Sequence, residues 1–115
     1  MRVHHLAFRT HDLARLEGFY SRLLGMSVRA RQTHGVWLEA GETILMLEQA
    51  AADEPTTNAA SMELVAFEVG LSEAATVEAR LLSAGVTIES RTKFTAYFRD
   101  PDGRRIGLSH YPHEP

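Results

Sequence analysis

A chain of 115 residues suits one domain, with a core large enough to fold unaided and little room for a second. Apolar residues make up 44% and charged residues 23%, which argues against disorder, and the formal net charge of -3 gives no electrostatic reason to expect nucleic acid or an anionic membrane as partner. The absence of cysteine excludes disulfides, thiolate metal sites and a cysteine nucleophile.

The opening MRVHHLAFRTHDL has no apolar stretch of the kind a secretory signal carries. No apolar run approaches the roughly 20 residues of a membrane-spanning helix. A cytoplasmic protein is therefore expected. Residues 5–10 (HLAFRT) alternate at strand period. Asp12 then offers an N-cap, and Leu13, Leu16, Tyr20, Leu23 and Leu24 recur at helical spacing up to Gly25. Strand-like segments follow at 27–32, 34–40 and 43–48. Residues 50–61 are small and polar and carry a proline, and read as a linker.

The pattern then repeats. Residues 64–69 (LVAFEV) resemble 5–10. Ser72 is the candidate cap of a helix whose stripe is Ala74, Val77, Leu81 and Ala84, ending at Gly85. Strand-like segments follow at 86–90, 94–99 and 104–110. Asp100, Pro101, Asp102 and Gly103 form a strong turn sequence between the last two, because proline presets φ and glycine accepts a positive φ. Each half reads β-α-β-β-β. Module one is expected over about 1–49 and module two over about 62–112 of a single 1–115 domain. A four-stranded sheet can bury one face on its helix, which leaves the other face open. Alternation puts Leu6, Phe8, Val65 and Phe67 toward the helices and His5, Ala7, Leu64 and Ala66 on the open faces.

HHLAFRTHDLARLEGFYSRLLGM resembles the opening module of the vicinal oxygen chelate superfamily (glyoxalase, bleomycin resistance protein and extradiol dioxygenase relatives), and FRDPDGRRIGLSHY resembles its closing strand-turn-strand. The resemblance covers essentially the whole chain. It implies an α+β fold of two βαβββ modules whose mixed sheets form an open cup, a homodimer, and a ligand site in the cup. Many members hold a divalent ion there, such as Zn, Ni, Mn or Fe, through His and Glu of the first and last strand of each module. Mapped onto this chain, those four positions are His5, Met46, Leu64 and Gly107. Leucine and glycine have no donor atom, and a thioether is a poor ligand for a hard or borderline ion. No metal cofactor is expected. If an ion were held, His5 and Glu48 would be the candidates, Glu48 sharing the strand face of Met46.

His4 and His5 are expected on opposite strand faces and so not as a chelating pair. His5, Trp37, Met46, Leu64, Tyr97 and Gly107 are the candidate ligand-binding residues, with the cup expected to be apolar and roomy where ligands were replaced. Tyr97 and Phe98 share the choice between cup and core. Arg9 and Glu68 occupy matching places near the strand ends, and Arg105 shares the face of Gly107 and could meet an anionic ligand. His11 is expected at the surface, and His110 and His113, flanking Tyr111 and Pro112, are expected in a frayed tail and not in a metal site. No phosphate-binding glycine loop is present, and Ser109 beside His110 has no catalytic companion. Three functions stay open: a metal-independent homodimer binding a small apolar or aromatic molecule, a metal-dependent lyase, isomerase or ring-cleaving dioxygenase, and an assembly or regulatory module with a vestigial cup.

Overall fold

A computed structural model describes residues 1–114, and they divide into two compact units, residues 1–56 and the residues from Thr57 onward. Unit one runs β1 (His5–Thr10), α1 (Leu13–Gly18), β2 (Ser27–Gln32), β3 (Gly35–Ala40) and β4 (Thr43–Gln49). Unit two runs β5 (Leu64–Glu68), α2 (Leu71–Ser83), β6 (Ser90–Arg91), β7 (Thr95–Arg99) and β8 (Arg105–Ser109). The sheets have the same order, β1-β4-β3-β2 and β5-β8-β7-β6, each with one parallel pair at the first strand and antiparallel pairs beyond it. The repeat read from six residues on each side thus extends to topology.

Local chemistry explains the element ends. The Asp12 carboxylate accepts the Arg15 N–H at 3.1 Å and caps α1. Helical structure then continues through a π-helical turn over Phe19–Leu23, which buries the neighbouring rings of Phe19 and Tyr20 together. Gly25 and Gly85 follow the two helices, both at φ +83°. Two expectations are corrected. The cap of α2 is Gly70 and not Ser72, which lies inside the first turn. The segment 86–90 is not a strand: β6 is confined to Ser90–Arg91, because Val86 already bonds back to the Leu81 carbonyl as part of the helix stop.

Each sheet buries the face that alternation assigned to the helix. In unit one Leu16, Tyr20, Val36, Leu38, Leu45 and Leu47 are all at most 1% exposed. In unit two the buried set is Val77 and Leu81 from α2 with Phe98, Ile106 and Leu108 from the sheet. Phe98 therefore belongs to the core and Tyr97 to the other face. No helix among the described residues is long and apolar enough to cross a membrane.

Candidate functional site

Strand register turns each open face into a small grid. In unit one His5 stands level with Ile44, Ala7 with Met46 and Arg9 with Glu48, while Met46 is level with Trp37 on its other side. In unit two Leu64 stands level with Arg105, Ala66 with Gly107 and Glu68 with Ser109, and Gly107 is level with Tyr97. The two grids correspond position by position. His5 matches Leu64, Met46 matches Gly107 and Trp37 matches Tyr97. Within each unit, the sequence-derived candidates therefore share one sheet face: His5, Trp37 and Met46 in the first, and Leu64, Tyr97 and Gly107 in the second.

The donor atoms on these faces do not suit the divalent ion that the resemblance would bring. In unit one the two mapped positions provide one imidazole and one thioether. In unit two they provide an alkyl side chain and a glycine. The alternative pair is also kept apart. His5 is level with Ile44, so Glu48 lies four residues farther along the face, roughly 13 Å away. Glu48 instead faces Arg9, with Nη1 to Oε1 at 3.5 Å. Among the described residues no three His, Asp or Glu side chains converge on one point.

His5 departs from expectation in one respect. His4 precedes the strand, so it is not forced onto the opposite face. Its ring meets His5 edge-on with centroids 5.3 Å apart, and the two Nδ1 atoms are 3.0 Å apart, one donating and the other accepting. His5 Nδ1 is thereby engaged within the chain. Gly107 departs in another. A side chain there would place its Cβ 3.2 Å from Thr95 Cγ2 and 3.3 Å from both Ala66 Cβ and Tyr97 Cδ1. Thr95, Ala66 and Tyr97 close in on this position and bury Gly107, so the face is flat there and not roomy.

The charged groups of the faces are largely committed. Arg9 is held by Glu54 as well as Glu48, and Glu54 also accepts the Ala51 N–H at 3.0 Å. Hydrogen bonds from the Arg9 guanidinium and from the Ala51 N–H push the Glu54 carboxyl down to about 2, and the hydrogen bonds to Glu54 and Glu48 push Arg9 upward. His11 Nε2 lies 2.9 Å from the Glu54 carbonyl. This cluster ties the segment after β4 to the end of β1, so Arg9 acts as an anchor. Residue separation hid it: Glu54 is 45 positions from Arg9, in a segment with no periodic pattern. In unit two Thr95 Oγ1 donates to Ser109 Oγ at 2.9 Å, and His110 Nδ1 donates to the His113 carbonyl at 2.6 Å. Ser109 and His110 thus have separate partners and form no nucleophile–base pair. Arg105 lies over the Tyr97 ring, 4.5 Å from its centroid.

Comparison with known proteins agrees with this architecture. A family model described as the Glyoxalase/Bleomycin resistance protein/Dioxygenase superfamily matches residues 2–108. A glutathione transferase FosA of Serratia marcescens is 31% identical over 110 residues, which span 92% of this chain and 78% of that protein. Among solved structures, a glyoxalase/dioxygenase from Nostoc punctiforme aligns at a TM-score of 0.78 and 22% identity, covering 93% of this chain and 88% of its own. The fosfomycin resistance protein FosX from Mesorhizobium loti aligns at 0.77 and 16% identity, covering 95% and 90%. At these identities the structures speak for the fold.

Proposed function

The chain belongs to the Glyoxalase/Bleomycin resistance protein/Dioxygenase superfamily, and from that membership we propose that it is a metal-independent cytoplasmic homodimer that binds a small apolar or aromatic molecule on the open faces of its sheets. The observation that carries this reading is the donor set. Of the four mapped ligand positions, only His5 offers a side-chain nitrogen or oxygen, and a single imidazole is a weak hold on a divalent ion. The rest of the surface suits a planar apolar body: Ala7, Met46 and Trp37 stand abreast in unit one, and Ala66, Gly107 and Tyr97 stand abreast in unit two. Trp37 presents a ring for stacking, and at the matching place Tyr97 carries the Arg105 guanidinium over its ring. The homodimer follows the assembly that the resemblance implies for short members.

The similarity to a glutathione transferase favours a second reading, an enzyme of the same superfamily. Such chemistry would need an ion or a general base on the face. The carboxylates present there are Glu39 and Glu48 in unit one and Glu68 in unit two. Glu48 is paired with Arg9, and Glu39 lies 3.8 Å from Arg29. Binding is accordingly the better supported function. Calorimetric titration of the full chain with 1-naphthol, in the presence of a strong chelator, tests it. Saturable binding that Ala66→Trp or Ala7→Trp weakens is the expected result. Binding that appears only after a divalent ion is added would overturn the reading in favour of the enzyme.

A further inference from the structure

The geometry of unit two points to a more specific ligand than an apolar one: we propose that its open face selects a planar molecule bearing one anionic group, a fused-ring or aryl carboxylate, with Arg105 as the residue that sets the preference. The inference rests on the reading that this face binds a small molecule, and it names the class.

Three rows cross the face. The first holds Leu64 and Arg105, with Arg99 level on β7. The second holds Ala66, Gly107 and Tyr97, and the third Glu68, Ser109 and Thr95. Arg99 is occupied, with its Nε at 3.0 Å from Glu89 and Nη1 at 2.8 Å from the Ser61 carbonyl and 3.2 Å from that of Gly103. Arg105 is differently placed. Its guanidinium rests on the Tyr97 ring, and its hydrogen bond, Nη1 to the Met62 carbonyl, is long at 3.5 Å. Among the described residues no carboxylate lies within ion-pair distance of it. A guanidinium has five N–H donors in a planar fork that matches a carboxylate. Stacking on an aromatic ring fixes that fork without consuming its edge, so little side-chain freedom remains to be lost on binding.

The middle row gives the ligand its shape. Gly107 is buried between Ala66 and Tyr97, and the small, exposed Ala66 leaves the row level. Rows lie two residues apart, roughly 7 Å along the strands. An anionic head at Arg105 therefore lays a body of about two fused rings over the exposed Ala66, with the exposed Leu64 side chain beside the head. The third row closes the far end with opposite chemistry. Glu68 repels a second anion there, while Ser109 and Thr95 offer hydroxyls. The orientation is thus set by charge: anionic end toward Arg105, neutral or hydrogen-bonding end toward Glu68.

Calorimetric titrations of the full chain with 1-naphthoate and with 1-naphthol, which share a ring system and differ in charge at neutral pH, test the proposal with chelator present. The wild type is expected to bind naphthoate about tenfold more tightly, the effect of one charge-assisted hydrogen-bonded pair. Arg105→Gln is expected to bring the ratio of the two affinities to about one, and Arg105→Lys to retain part of the preference. Thermal melts establish that both variants are folded. Equal affinities in the wild type, or a preference that survives Arg105→Gln, would overturn the anion selectivity while leaving naphthol binding, and the broader reading, intact. Failure of both ligands to bind the wild type would overturn both.

Discussion

Replacing Asp100 by alanine is expected to destabilise the protein by about 3 kcal/mol, the cost of breaking a buried, charge-bearing hydrogen-bond cluster. The Asp100 side chain has no exposed surface. Its Oδ1 accepts the N–H groups of Asp102 at 2.9 Å and Arg104 at 3.0 Å, and its Oδ2 accepts the Arg104 guanidinium at 3.2 Å. It organises the turn between β7 and β8, where Gly103 has φ +89° and comes so close to Ala59 that a Cβ would sit 2.8 Å from the Ala59 Cβ. Alanine would leave two part-buried N–H groups and a part-buried guanidinium short of an acceptor. Asp102 bonds the same guanidinium through one oxygen at 3.1 Å and is itself partly exposed, so Asp102→Ala should cost only about 1 kcal/mol. Chemical denaturation of the two variants checks the contrast, and equal losses would show that burial at Asp100 does not govern the turn.

Tyr20→Ala should cost about 4 kcal/mol, in the range of large aromatic-to-alanine changes in a core. Tyr20 is fully buried, with its ring centroid 5.1 Å from Phe19 and 5.8 Å from Phe8. Removing it opens a cavity between helix and sheet that neither neighbour can fill without leaving its own contacts. Trp37 is the larger residue, yet it lies half-buried on the open face. Trp37→Ala should cost less, about 2 kcal/mol, because part of that ring stays in water. Unfolding midpoints of the pair therefore distinguish core face from ligand face. A Trp37 variant as damaged as the Tyr20 variant would place Trp37 in the core.

Much of the fold was legible because it is written locally. Alternation fixed the faces: Phe8 is buried while His5 and Ala7 are exposed, and Phe98 is buried next to a half-buried Tyr97. Glycine and Asp-Pro-Asp-Gly turns marked the element ends. What could not be read came from interactions without local pattern. The cap of α2 is a glycine with no side-chain bond, so Ser72 looked the better candidate. His4 lies one residue outside the strand, so strand alternation gave the wrong relation to His5. The flattening at Gly107 depends on how Thr95 and Tyr97 lean across the sheet, and a sequence shows a missing side chain only as space. The stacking of Arg105 on Tyr97 needed the register of β7 against β8, which places both one step from Gly107.

The central claim is that this chain carries the superfamily fold without the means to hold its ion. The most direct measurement is metal content per chain after incubation with Ni, Zn, Mn and Fe(II) and exhaustive dialysis. The account predicts no ion retained near stoichiometry, and no change in what is retained on His5→Ala. One ion per chain, lost on His5→Ala, would contradict it, and would mean that His5 acts with donors that the mapping to Met46, Leu64 and Gly107 does not supply.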